Sequence, residues 1–238
     1  MNAQIREEAE SGYYHVIARG VNHCEIFFED RDRTHFLDLL SDLAKECSVT
    51  LYAWCLMSNH YHLLVNASLA SLGVMMRRLN ASYALYFNTK YERDGHLFQG
   101  RFKSVPIESD EQFLTVVRYI HQNPEKAGIC RTREYPWSSY RSYLTELGFV
   151  DTGFALSLLG GKNRFVAFHA NLPSDNGENE GLYERACSIL QGFEPDRVAS
   201  LNRDGRNGAI RALKAAQFST RQIEQVTGIS RSTVSRVK

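Results

Sequence analysis

The stretch MSNHYHLLV, residues Met57–Val65, decides how this chain is read. Its apolar end reads as a buried strand entered through Ser58 and Asn59, a polar pair suited to a tight connection, with His60 and His62 at the strand mouth. Residues two apart on a strand point to the same face, with Cα atoms about 6–7 Å apart, so both imidazoles project together. That spacing suits a metal ion. Two strand histidines that are merely hydrogen-bonded are the plainer alternative.

Outward from this strand the chain alternates between the two regular periods. YYHVIARG, Tyr13–Gly20, carries β-formers and closes at the Gly20–Val21–Asn22 turn, which predicts a first strand. From Asp30 to Cys47, Phe36, Leu39, Leu40 and Leu43 recur at three- and four-residue intervals, the stripe of an amphipathic helix. LYAWCLM is the strand before the histidines. Ser68 to Asn88 predicts a second long helix, with Leu72, Met75, Met76, Leu79, Tyr83 and Tyr86 inward and Arg77 and Arg78 outward. GHLFQGRFKSVPI reads as an extended loop or short hairpin. Ser109 with Gln112 forms a capping box that starts a third helix, which Pro124 is expected to end. The pattern predicts an α+β domain, an antiparallel sheet with helices on one face.

The 238 residues, 43% hydrophobic and 23% charged, suffice for one full core and a smaller appended unit. No run of about 18 apolar residues exists, and MNAQIREEAE lacks the basic-then-apolar pattern of a signal peptide, so a cytoplasmic protein without a membrane partner is expected. Five cysteines without a C-x-x-C pair point to reduced thiols. The net charge of +1 conceals a polarised ending: residues 171–196 sum to −5 and residues 197–238 to +7. The basic end suits a polyanion, although for a charge run alone a solvated helix face is the more usual reading. Boundaries are expected after residues 147 and 181, giving a domain at 1–147, a helical extension and polar linker at 148–181, and a C-terminal helical domain at 182–238. In the last of these, Ser219 with Gln222 reads as a capping box, Gly228 as a helix stop and Ser230 as the cap of a final helix. Ile223, Val226, Ile229, Val234 and Val237 supply its core. The pattern fits a helix-turn-helix whose final helix presents Arg231, Ser232, Ser235 and Arg236 to duplex DNA, or a plain three-helix packing module.

The chemistry comes from a second segment. In VVRYIHQNP, Tyr119 and Asn123 lie four residues apart, about 40° around a helix and within about 6 Å of each other, whereas His121 faces elsewhere. If this helix runs beside the histidine strand, His60, His62 and the Asn123 side-chain oxygen form a three-ligand site with open positions. Mixed nitrogen and oxygen donors suit Mg or Mn, and the ligand types are also compatible with zinc. Tyr119 is then the nucleophile. DNA lacks a 2′-hydroxyl, so cutting it while keeping the bond energy needs an external oxygen, and a phenol provides one by forming a phosphotyrosine ester. Arg19, Asn22, Gln99, Arg101 and Lys103 are candidate phosphate or base contacts on loops beside this site.

IARGVN, LMSNHYHLLV, HLFQGRFKS, the tyrosine segment RYIHQNPEKAGI and YPWSSYRSYL occur in the order seen in the HUH single-tyrosine transposases, and over residues 11–145 the chain resembles their REP-associated branch. The resemblance implies a ferredoxin-like or RRM-like catalytic fold acting on single-stranded DNA hairpins. It implies metal-binding roles for His60 and His62, a nucleophile at Tyr119 and a polar ligand at Asn123. Ser58 stands where that family usually has Pro. A monomer or a homodimer is compatible with this reading. Two other functions remain open: a non-catalytic DNA-binding regulator with the same fold, and a metal-dependent phosphodiesterase that uses water.

Overall fold

The computed structural model describes residues 7–170, 180–191 and 193–237. The chain divides into two compact units, residues 1–171 and 172–238. In the first, β1 (Tyr13–Arg19), β2 (Thr50–Leu56), β3 (His60–Asn66) and β4 (Lys103–Ile107) form one sheet in the order β2-β3-β1-β4. All three pairings are antiparallel. The helices α1 (Asp30–Glu46), α2 (Leu69–Lys90) and α3 (Asp110–Lys126) connect or follow the strands. No helix among the described residues is long and apolar enough to cross a membrane.

The two faces of the sheet are covered by different elements. Tyr14, Val16 and Ala18 of β1 and Tyr61, Leu63 and Val65 of β3 share a core with Phe36 and Leu40 of α1 and Leu72, Met75, Leu79 and Tyr83 of α2. The expectation of helices on one face holds for these two. α3 lies on the other face, where Phe113, Val117 and Ile120 pack on Tyr52, Ala53, Cys55 and Leu64. The reason is that β3 is apolar on both sides beyond its histidines, and Leu64 needs cover as much as Leu63 does. A bulge between Leu51 and Ala53 lets Tyr52 join the α3 side while Leu51 stays with α1 and α2.

Pro124 does not end α3, contrary to the sequence reading. The helix continues to Lys126, and the Ala127 N–H still donates to the Asn123 carbonyl before Gly128 turns the chain at φ 71°. A proline so near the C-terminus removes a single backbone bond, too little to stop the last turn. The helix starts at Ser109 as expected, where the Ser109 side chain accepts from the Gln112 N–H, but the reciprocal half of the capping box is displaced by one residue: the Gln112 side chain accepts from the Glu108 N–H, not from that of Ser109.

The helices Gly153–Leu159 and Lys162–Ala170 insert Ala155 and Phe165 into the α3-side core, so they are part of the first unit and not of a separate extension. The polar stretch expected as a linker falls, through Asn179, outside the described residues. In the second unit, Ile210, Leu213, Ile223, Val226, Ile229, Val234 and Val237 share one small core. Ser219 and Gln222 cap the helix Thr220–Thr227 reciprocally, and Gly228 closes it in the left-handed region at φ 70°.

Behind α3 lies a chain of hydrogen bonds whose directions are fixed. His169 Nδ1 sits 2.9 Å from the Phe165 carbonyl, which only accepts, so Nδ1 donates and Nε2 is left to accept from His121 Nδ1 at 3.0 Å. His121 Nε2 then accepts from the Ser139 hydroxyl at 2.8 Å. Both rings are buried and neutral: burial pushes His121 well below its ordinary value and His169 down to about 4, with Arg118 adding to the second shift.

Unfolded histidines protonate below about pH 6.5, where the folded ones stay neutral, so the unfolded state binds more protons and stability falls as pH falls. The unfolding free energy obtained from urea titration, and with it the urea midpoint, is therefore expected to drop between about pH 6.5 and pH 4, the free energy by up to about 1.4 kcal/mol per pH unit for each buried histidine, and less steeply in His169→Gln. A midpoint unchanged over that range contradicts the network. Gly20 generates a second expectation. A Cβ there would collide with the Cys24 carbonyl oxygen and crowd Ile26, so Gly20→Ala should cost about 1–3 kcal/mol in the same unfolding assay.

Candidate active site

The ladder between β1 and β3 sets Arg19 opposite His60 and Ile17 opposite His62, while Lys103 of β4 lies on the other side of Ile17. Directly paired residues share a face. His15, His60, His62, Arg19 and Lys103 therefore occupy one side of the sheet, the side that carries α3.

Tyr119 reaches this face from α3. Its ring meets that of His62 edge-on at 5.7 Å between centroids, and that of His15 at 5.8 Å. The His60 and His62 rings are 5.0 Å apart and nearly perpendicular. His60 is 8% exposed and His62 is 3% exposed, whereas Tyr119 is half-buried. Burial, reinforced by Arg19 and His23, lowers the His60 imidazole to about 3. Burial, followed by His60, His15, Arg19 and Lys126, holds His62 well below its ordinary value. Two neutral imidazoles result, as metal ligation requires.

Each has its Nδ1 engaged. His60 Nδ1 lies 2.6 Å from the Asn59 side-chain oxygen, and His62 Nδ1 lies 3.0 Å from His15 Nε2. His62 Nε2 is buried without a hydrogen-bond partner. A buried ring nitrogen left without a partner needs an explanation, and a cation is a suitable one for the tautomer that carries its proton on Nδ1. Among the described residues no three His, Cys, Asp or Glu side chains gather around one point, so any further donors have to be amide, phosphate or water oxygens. Asn123 is one turn from Tyr119 as expected. Its amide N–H donates back to the Tyr119 carbonyl at 3.1 Å, which commits the nitrogen to the helix backbone and orients the amide.

The loop residues named from sequence collect at the same end of the sheet. The Gln99 N–H donates to the Arg19 carbonyl at 2.8 Å, the Val21 N–H to Leu97 and the Gly20 N–H to Asn59, which ties the β1 exit, the loop before β4 and the β2–β3 turn together. Asn22, Gln99, Arg101 and Lys103 are exposed there. Asn22 adopts φ 51° and His23 φ 60°, two successive left-handed residues that bend the chain sharply beside the histidines. Arg231, Ser232, Ser235 and Arg236 lie in the second unit, on or at the helix Arg231–Arg236, and Arg231 is paired with Glu224 at 2.6 Å.

His15, Asn59 and Lys126 were not singled out by sequence reading. Lys126 places its Nζ 4.3 Å from the Tyr119 ring centroid, a cation over the face of the phenol. The alternation of YYHVIAR contained a signal for His15, since it shares a face with Ile17 and Arg19, but its partner stands 47 residues away.

No curated protein matches the chain. Among solved structures, a REP-associated tyrosine transposase bound to a REP hairpin superposes with a TM-score of 0.52 at 15% identity, covering 64% of this chain and 90% of that one. A protein described as a transposase from Deinococcus radiodurans R1 gives 0.35 at 17% identity, over 51% of this chain and 95% of that one. The first likeness establishes the fold. The family model described as "Transposase IS200 like" matches residues 8–123, the span that runs from the start of β1 through Tyr119 to Asn123. Over that span, just under half of the chain, the sequence is similar to the IS200-like transposases.

Proposed function

We propose that this chain is a transposase that cuts and rejoins single-stranded DNA beside hairpins through a covalent bond to Tyr119, with a divalent metal, Mg or Mn, held by His60, His62 and the Asn123 oxygen. The observation that carries the reading is the meeting of the Tyr119 and His62 rings on one sheet face of one chain, beside a bare His62 Nε2. A bound ion supplies Lewis-acid polarisation of the scissile phosphate and offsets its charge.

The chain's own residues do the rest. Arg19 and Lys103, on the same face as the histidines, and Arg101 on the adjoining loop offer positive charge to the DNA backbone, which positions it without reading sequence. Tyr119, half-buried on α3, has its ring orientation restricted by His15, His62 and the Lys126 cation. The phenol loses its proton as its oxygen bonds to phosphorus, the P–O3′ bond breaks, and the departing O3′ takes up a proton. The product is a 5′-phosphotyrosine and a free 3′-hydroxyl, whose attack in reverse rejoins strands without ATP. The REP hairpin bound by the structural neighbour supports a hairpin substrate here. The +7 charge of residues 197–238 and the small helical core support duplex binding by the second unit through Arg231, Ser232, Ser235 and Arg236.

A labelled hairpin oligonucleotide incubated with Mn²⁺ or Mg²⁺ should become covalently attached to the protein. Attachment should fall at least about 10³-fold in Tyr119→Phe, which lacks the attacking oxygen, and persist in Tyr83→Phe on the opposite face of the sheet. His62→Ala and chelation should each abolish it while leaving salt-dependent hairpin binding. An adduct that survives in Tyr119→Phe contradicts the assignment. Hydrolysed ends without an adduct indicate water as nucleophile, and binding without cleavage indicates a regulator.

A further inference from the structure

We infer that Asn59 is a positioning residue that locks the His60 imidazole as its Nδ1–H tautomer and turns Nε2 toward the metal; this rests on the reading of His60 as a ligand. The amide has two ends, and the structure fixes which faces which way. Asn59 Nδ2 lies 3.3 Å from the His23 carbonyl oxygen. A carbonyl only accepts, so the end facing His23 is the N–H. The other end, Oδ1, then faces His60 Nδ1 at 2.6 Å. An amide oxygen also only accepts, so the proton between them sits on His60 Nδ1, and the lone pair of the neutral ring sits on Nε2.

The backbone around Asn59 makes this arrangement rigid. Its carbonyl accepts the Gly20 N–H at 2.9 Å, and the preceding Ser58 carbonyl accepts the Ile26 and Phe27 N–H groups at 2.8 and 3.2 Å. The β2–β3 turn is thereby fastened to the exit of β1 on both sides of the amide. On the far side, His23 stands at φ 60° immediately after Asn22 at φ 51°, and this bend presents the His23 carbonyl to Asn59. The residue type follows from the geometry. Ala removes both bonds, and Asp keeps an acceptor for His60 but sets a carboxylate oxygen against the carbonyl. Asn alone of these satisfies His60 and His23 together. The exposed turn that carries Asn22, a candidate DNA contact, is in this way connected to the ligand histidine through one side chain.

The test reads the tautomer first and the metal second. In long-range ¹H–¹⁵N spectra of the metal-free full chain at neutral pH, His60 should show a protonated Nδ1 and a bare Nε2. Asn59→Ala should give a mixture of tautomers and weaken Mn²⁺ binding, measured by electron paramagnetic resonance, by about 10–100-fold. Asn59→Asp should restore the wild-type tautomer and most of the affinity, a rescue that a merely structural turn residue would not produce. A wild-type His60 that carries its proton on Nε2 overturns the inference whatever the variants do. So does an Asn59→Ala protein with unchanged tautomer and Mn²⁺ affinity. If the wild type shows the stated tautomer but takes up no Mn²⁺, the ligand reading of His60 fails separately, with the Asn59 bond left standing.

Discussion

The antiparallel ladder between β1 and β3 is the constraint on which the rest of the molecule depends. It sets Arg19 against His60 and Ile17 against His62, and it leaves His15 diagonal to His62, close enough for their nitrogens to meet at 3.0 Å. A slip of one residue would turn His60 and His62 toward α1 and α2 and bring Tyr61 and Leu63 to the α3 side. Such a slip is strongly disfavoured, because Tyr61, Leu63 and Val65 are completely buried in the core they share with those helices. Each fully buried Leu or Val contributes about 1.5–3 kcal/mol, so the apolar alternation of β3 is what aims its histidines.

The same packing explains how a polar site can sit over an apolar core. α3 is fastened by Phe113, Val117 and Ile120, which are nearly or fully buried, and Tyr119 emerges on the flank of that stripe. Position along the helix thus decides that Tyr119 faces the histidines. His121, two residues later, is drawn into the bond chain with His169 and Ser139 on another side. Two histidine pairs of similar burial therefore differ in their hydrogen bonding. In His121 and His169 the acceptor nitrogens are satisfied by donors of the chain, whereas His62 Nε2 is left bare.

Much of this was legible in the sequence because it is local. The i, i+2 spacing of His60 and His62, the 3.6-residue stripe of α3 and the caps at Ser109 and Ser219 all depend on near neighbours. The features that were not legible are long-range. That α3 covers the second face follows from burial on both sides of β3, which a single strand pattern does not reveal. The partner of His15 is fixed by the β1–β3 register, and the direction of the Asn59 amide by the carbonyl of His23, 36 residues earlier. Pro124 misled for a different reason: its cost depends on how many backbone bonds remain to be made, and near a helix end few do.

The central claim is that His60, His62 and Tyr119 of one chain share one metal-bearing face. Paramagnetic broadening by Mn²⁺ tests it most directly, with the buried His121 and His169 rings as internal controls. Substoichiometric Mn²⁺ is expected to broaden the ring signals of His60 and His62 first and Tyr119 next, leaving His121 and His169 sharp. Broadening centred on His121 and His169, or loss of the His60 and His62 signals with Tyr119 unaffected, would contradict it.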